Sequence, residues 1–142
     1  APHAGPLRNI VIKNGTIRTF DNGLWLWDIK NIEVSDIIFE KLGQSIVIVR
    51  SGNVVVKNNK ILGIVPNYFS VAMNFSESET ITIIGNYIRD DFEGIKMGYA
   101  PVPPTINASG NTICNSQHPI VYRPAPIPAS LTNGIVISSS PC

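Results

Sequence analysis

The chain has 142 residues, enough for one domain with a buried core, and is 44% hydrophobic and 15% charged, with 11 glycines and 11 prolines. It is too apolar for a disordered chain and too rich in turn formers for a helical bundle. The net charge of +1 excludes a strong electrostatic field for nucleic acid, and no apolar run approaches the roughly 18 residues of a membrane span.

A nine-residue pattern recurs five times along the chain and is the main evidence for its fold. The copies begin at Asn9, Asn31, Asn53, Thr80 and Thr105. Within each copy apolar residues alternate with other residues, as they do in strands with one buried face. A single copy cannot bury its inward side chains alone, but coils stacked about 4.8 Å apart can bury them together.

The predicted inward side chains align in columns when the coils are superimposed, with a one-residue insertion in the third coil. The columns are Ile10, Ile32, Val54, Ile81 and Ile106; Ile12, Val34, Val56, Ile83 and Ala108; Ile17, Phe39, Ile61, Ile88 and Ile113; Leu24, Ile46, Phe69, Ile95 and Ile120; and Leu26, Ile48, Val71, Met97 and Tyr122. Ile135 and Ile137 add a partial sixth coil. The pattern predicts an all-β parallel solenoid of five to six coils without substantial helix.

Each coil needs a sharp bend between its first two repeat strands, and glycine and asparagine tolerate the positive φ of such a bend. We expect Gly15, Asn59, Asn86 and Asn111 to form it. In the second coil Ile37 interrupts this column, so Asp36 is the candidate there.

One domain is predicted over 1–142. It has an N-terminal extension at 1–8, regular coils at 9–123, and a proline-rich loop followed by a half-coil at 124–142.

The repeat resembles the right-handed parallel β-helix superfamily, which includes pectate lyases, polygalacturonases, alginate epimerases and phage tailspikes. The resemblance covers residues 9 to about 138. In that superfamily's naming, Ile10–Lys13 is similar to strand two, Thr16–Arg18 to strand three, and Leu24–Trp27 to strand one of the next coil. The resemblance implies that substrates lie along the strand-one face, beside long loops.

Three long connections follow strand one, at Met73–Glu79, Gly98–Pro104 and Pro124–Asn133, and they offer a wall for such a groove or serve as packing loops. The adjacent aspartates Asp90 and Asp91 are similar to a polygalacturonase pair. However, the Gly-His-Gly and Arg-Ile-Lys elements of those enzymes do not follow, so that activity is not carried over.

Candidate catalytic residues come from strand one and the polar column before it. The polar column consists of Asn22, Gln44, Asn67, Glu93 and His118. The outward residues of strand one form two further columns. The first is Trp25, Val47, Ser70, Lys96 and Val121, and the second is Trp27, Val49, Ala72, Gly98 and Arg123. Stacking predicts Glu93 about 5 Å from His118, with Lys96 and Arg123 nearby. A lyase needs a base for the sugar C5 proton and a cation that holds the uronate carboxylate. Lys96 or Arg123 can serve as either group, and Glu93 or His118 can assist. The alternative is a solvated ladder of turn residues.

Candidate substrate-binding residues are Trp25, Trp27, Asn67 and Asp91. An outward tryptophan offers a flat face for a sugar ring, but the surrounding apolar patch more often marks a protein contact or a covering loop, and we favour such a contact over sugar stacking.

No metal site is predicted. Asp90, Asp91 and Glu93 form an acidic cluster that we interpret as solvated turn residues, and Ca²⁺ is implied only by the resemblance; no other cofactor is expected.

Cys114 and Cys142 are expected to form a disulfide across neighbouring coils, with Cys142 above Ile113, and would stay free in a reducing compartment. The composition and cysteines favour a secreted protein.

Two functions remain open. One is a carbohydrate-active protein, namely a polysaccharide lyase, epimerase, glycoside hydrolase or glycan binder acting on an acidic or plant-type polysaccharide. The other is a structural or interaction solenoid, such as an adhesin, tail-fibre or shell component or a fragment of a longer chain. It would self-associate through the uncapped N-terminal end or the apolar strand-one face. The sequence leaves open whether the chain is an enzyme.

Overall fold

A computed structural model describes residues 7–63, 69–98, 102–124, 126–139 and 142. In this part of the chain the elements follow one another as strands, with a single four-residue helix near the end. They are β1 Leu7–Arg18, β2 Asn22–Trp27, β3 Ile29–Glu40, β4 Gln44–Val49, β5 Gly52–Lys57, β6 Lys60–Leu62, β7 Val71–Ser76, β8 Thr80–Ile84, β9 Tyr87–Arg89, β10 Glu93–Gly98, β11 Thr105–Ser109, β12 Asn111–Cys114, β13 His118–Arg123, α1 Ala129–Thr132 and β14 Ile135–Ser138. No helix among these residues is long and apolar enough to cross a membrane.

The strands form two parallel sheets that wind into one solenoid. One sheet has five strands in the order β13-β10-β7-β4-β2. The other has nine, in the order β11-β8-β5-β3-β6-β9-β12-β14 with β1 on β3. Each strand pairs with its counterpart in the next coil, as a stack of about five coils requires, so the predicted parallel solenoid is confirmed.

The interior contains the predicted columns of aliphatic side chains. Ile32 pairs in register with Val54, and Val54 with Ile81; all three are at most 1% exposed. Phe39 and Ile61 stack in the same way. Each fully buried aliphatic side chain contributes roughly 1.5–3 kcal/mol, but only when the neighbouring coil is present.

The alignment predicted for the third coil is wrong. Met73 and Phe75, rather than Phe69 and Val71, lie in register with the core residues of β4 and β10. Phe69 is 60% exposed. The extra residues of this coil precede strand one instead of following it, so most of the predicted loop Met73–Glu79 belongs to β7.

At the bend between the first two repeat strands, the residues with positive φ also differ from those predicted. They lie one position earlier, at Asn14, Asp36, Asn58, Gly85 and Gly110, with φ between 54° and 63°. Asp36 therefore forms the bend of the second coil, as predicted.

The asparagines predicted for the bend instead form a buried ladder. The Nδ2 atoms of Asn59 and Asn86 each donate to the Oδ1 of the next asparagine, in Asn86 and Asn111, at 3.0 Å. They also donate to the carbonyls of Val34 and Val56, at 3.0 and 2.8 Å. Together with Asn111, the ladder satisfies the carbonyls of Val34, Val56 and Ile83 at this corner.

The two ends of the solenoid differ. At the C-terminal end α1 places Leu131 in the core with 0% exposure. Cys114 and Cys142 form the predicted disulfide, with Cα atoms 6.2 Å apart. However, Ile137 rather than Cys142 lies in register with Ile113.

At the N-terminal end the inward residues of the first coil are only partly buried. Strand β1 begins at Leu7, inside the predicted extension, and Leu7 pairs with Ile29.

Candidate functional site

The strand-one face is the outward surface of β2, β4, β7, β10 and β13. Its two columns read Trp25, Val47, Asn74, Lys96, Val121 and Trp27, Val49, Ser76, Gly98, Arg123. Asn74 and Ser76 take the places predicted for Ser70 and Ala72, which are completely buried. This change follows from the register of the third coil and makes the middle of the face polar.

The first coil supplies an aromatic end to this face. Trp25 and Trp27 are 54% and 51% exposed, so both rings are available to a partner. The guanidinium carbon of Arg50 lies 5.0 Å from the centroid of the Trp27 ring. Arg50 also pairs with Asp28, with 3.4 Å between Nε and Oδ1. Trp27 is therefore held by a cation–π contact, while Trp25 is free of this contact.

The middle of the face carries two amides. The Nδ2 of Asn74 donates to the Oε1 of Gln44 at 3.4 Å. The position in the polar column predicted for Asn67 is taken by Val71, which pairs with both Gln44 and Glu93. Asn67 itself lies outside the described residues. The third coil therefore interrupts the predicted polar column.

An acid, a base and a cation meet in the fourth and fifth coils. The Lys96 Nζ lies 3.2 Å from the Glu93 Oε2, and the Glu93 side chain is only 12% exposed. Glu93 and His118 are register partners on adjacent strands, in agreement with the predicted separation of about one strand spacing. Three of the four predicted catalytic residues are therefore neighbours.

His118 is positioned by Phe92. The two rings make an edge-to-face contact with centroids 5.0 Å apart. The backbone N–H of His118 donates to the carbonyl of Phe92 at 2.8 Å. Phe69 extends this contact, with its ring centroid 5.6 Å from that of Phe92. The repeat does not identify these two phenylalanines as part of the site, because it aligns Phe69 with the core and gives Phe92 no equivalent in the other coils.

Arg123 stands apart from the other three residues. It pairs with Gly98 at the far end of the strand, whereas His118 begins the same strand. Five residues of extended chain separate them by roughly 16 Å. Arg123 is exposed and makes no ion pair with another described residue. It provides a separate cationic position on the same face.

Asp91 lies behind the site rather than on it. Its side chain is 0% exposed, and neither carboxyl oxygen makes a hydrogen bond of good geometry with another described residue. Burial raises the pKa of Asp91 to about 7; the Ser70 hydroxyl opposes this increase, and the charge of Asp90 adds to it. The earlier interpretations, as a solvated turn residue and as a substrate contact, both fail because the carboxyl does not reach solvent.

The neighbouring acidic groups are committed to other partners. Asp90 accepts a hydrogen bond from Asn115 at 2.6 Å and pairs with Arg89 at 3.0 Å. Among the described residues no group of three side chains is arranged to hold a metal ion. The face itself carries the exposed rings of Trp25 and Trp27, the amide of Asn74 and the cationic side chains of Lys96 and Arg123.

Comparison with protein families identifies the type of repeat. Residues 4–141 match the family described as the right-handed beta helix region. Comparison with curated proteins and with solved structures finds no significant match.

Proposed function

The chain belongs to the right-handed β-helix family, and on that premise we propose that it is a secreted protein that binds an acidic polysaccharide along the strand-one face. The observation that carries the proposal is the order of groups on this face. Exposed Trp25 and Trp27 lie on the first coil, and Lys96 and Arg123 lie on the fourth and fifth. The disulfide supports secretion, because such bonds persist in oxidising compartments.

A linear glycan along the solenoid axis would meet these groups in sequence. The five strands of the face span about 19 Å at one strand spacing per coil, which suits an oligosaccharide. A sugar ring stacks on Trp25, whose face is unobstructed by Arg50. The amides of Gln44 and Asn74 meet sugar hydroxyls, and the cationic groups of Lys96 and Arg123 attract uronate carboxylates.

Cleavage of the bound chain is a second step of the same proposal. Lys96 pairs with Glu93, so its ammonium suits the role of holding a uronate carboxylate better than that of a base. His118 is exposed and stands beside this pair, where its imidazole can abstract the C5 proton of the uronate as the C4–O bond breaks and then return that proton to the leaving oxygen. We therefore assign His118 the role of base and Lys96 that of cation.

Calorimetric titration with hexagalacturonate and with an alginate hexasaccharide tests the binding proposal. Trp25→Ala should weaken binding about tenfold, since stacking and apolar contact contribute roughly 1–2 kcal/mol. Phe20→Ala is a matched control, because Phe20 is an aromatic residue of the same coil, 67% exposed and outside the face. Equal losses in both variants, or no binding of either acidic hexasaccharide, would contradict the proposal.

An interaction solenoid is the second candidate. Among the residues that the structure describes, strands β1 and β2 end their sheets, and the inward residues of this coil are only partly buried. Unpaired strand edges invite further strands. A molecular mass that rises with concentration in sedimentation equilibrium, together with no glycan binding, would favour this candidate.

A further inference from the structure

A groove crosses the first three coils on the nine-stranded sheet, away from the strand-one face. We call it the asparagine groove. It has a volume of about 350 Å³, and the lining residues that matter here are Asn9, Asn31, Asn53, Val11, Glu33 and Val55. The three asparagines occupy the same position in successive coils and have φ values of 56°, 59° and 51°.

The asparagine side chains form a fixed, exposed array. The Asn31 Nδ2 donates to the Asn9 Oδ1 at 3.0 Å, and the Asn53 Nδ2 donates to the Asn31 Oδ1 at 2.8 Å. A primary amide has two N–H groups and two acceptor lone pairs. Even Asn31, which is bonded on both sides, therefore keeps one donor and one acceptor for a ligand. A ligand meets side chains that are already ordered, so binding loses less conformational entropy.

The groove carries no uncompensated charge from its lining residues. Glu33 accepts a hydrogen bond from Ser35 at 2.9 Å and pairs with Lys57 at 3.3 Å. Val11 is 57% exposed, and it supplies an apolar surface beside the amides together with the partly buried Val55. Donors, acceptors and small apolar surfaces without net charge complement a neutral sugar, whose hydroxyls and C–H faces alternate.

We propose that the asparagine groove binds a neutral linear glycan of pyranose sugars, aligned with the solenoid axis at about one sugar per coil. The ladder repeats at the strand spacing of about 4.8 Å, which is close to the advance of one pyranose unit along an extended chain. This site is independent of the strand-one face, which carries cationic groups and tryptophans. The two sites therefore select different glycans.

Titrations with cellohexaose, xylohexaose and mannohexaose test this proposal, with side-chain amide resonances and calorimetry as readouts. Asn31→Gly removes the central amide while tolerating the positive φ. At least one of the three hexasaccharides should shift the amide resonances of the groove, and Asn31→Gly should weaken its binding about tenfold. Asp36→Gly is the matched control, because Asp36 is exposed in the same coil, has a φ of 54° and lies outside the groove.

Val11→Asp is a second variant that leaves the ladder unchanged and places a charge in the groove; it should also weaken neutral binding about tenfold. Trp25→Ala should leave neutral binding unchanged, and Asn31→Gly should leave hexagalacturonate binding unchanged. The inference is overturned if none of the three neutral hexasaccharides binds at millimolar concentration. It is equally overturned if both groove variants bind like the unaltered chain.

Discussion

Asp91 occupies the same corner of its coil that Leu42 occupies two coils earlier. The preceding residues, Lys41 and Asp90, both have a positive φ. Their backbone N–H groups donate to strand three of the next coil, at the carbonyls of Leu62 and Cys114. Leu42 is 1% exposed and Asp91 is 0% exposed. A corner that takes a leucine elsewhere here takes a carboxylic acid that is buried from solvent.

We predict that this acid makes the stability of the protein depend on pH. Burial raises the pKa of Asp91 from 3.8 to about 7, so the folded state keeps a proton that the unfolded chain releases. The free energy of unfolding should therefore fall as pH rises from about 4 to about 7 and then level off, with a loss from this group of about 4 kcal/mol at most.

Urea denaturation of the unaltered chain and of Asp91→Asn between pH 4 and 8 checks this dependence. The variant cannot ionise at this position, so its stability should change less over the same range. Parallel pH profiles for the two proteins would contradict the prediction.

The register of the third coil predicts opposite outcomes for two phenylalanines. Phe75→Ala should lower the free energy of unfolding by about 3–5 kcal/mol, because Phe75 is 1% exposed in the core. Phe69→Ala should lower it by less than about 1.5 kcal/mol, because that ring is mostly exposed and contacts Phe92. Chemical denaturation measures both, and a larger loss for Phe69→Ala would restore the register predicted from sequence.

The buried asparagine ladder should be important for stability. Asn86→Ala leaves the Val56 carbonyl and the backbone N–H of Asn59 without their bonds to this side chain. We expect a loss of about 2–4 kcal/mol in urea denaturation. Asn107→Ala, at an exposed position of β11, should change stability by no more than about 0.5 kcal/mol. Similar small effects in both variants would show that the ladder contributes little.

The disulfide joins residues separated by 28 positions and holds the last segment against the fifth coil. Replacing both cysteines by serine should lower the free energy of unfolding by about 3 kcal/mol, since the open chain gains entropy when unfolded. Adding a reductant to the unaltered protein should give the same loss, whereas the serine variant should not respond to it. A reductant effect on the serine variant would point to another cause.

Lyase chemistry would create an unsaturated uronate with a characteristic ultraviolet absorbance. If His118 is the base and Lys96 the cation, His118→Ala should abolish the rise in absorbance during incubation with pectate or alginate. Lys96→Ala should reduce it by at least about a hundredfold. Val121→Ala, on the same face in the fifth coil, is the control and should retain the activity. No rise with the unaltered chain would leave this face a binding surface without cleavage.

The sequence by itself determined the solenoid and most of its core, because identical side-chain requirements recur in every coil. Ile32, Val54 and Ile81 must all be apolar because each faces the interior of its coil. This requirement recurs along the chain, so the sequence alone reveals it. The neighbouring positions of Glu93 and His118 followed from the same repeat. The pairing of Cys114 with Cys142 was also predicted, but from a register that the structure corrects, because Ile137 rather than Cys142 lies beside Ile113.

Tertiary structure decided what the repeat leaves unspecified. An insertion can precede or follow a strand without changing the alternation of residues, so strand pairing was needed to place Phe75 inside and Phe69 outside. Asparagine tolerates a bend and also forms hydrogen bonds between coils, so only the three-dimensional contacts assign Asn58 to the bend and Asn59 to the ladder. The burial of Asp91 likewise depends on residues of other coils that pack against it. No local sequence pattern indicates this packing.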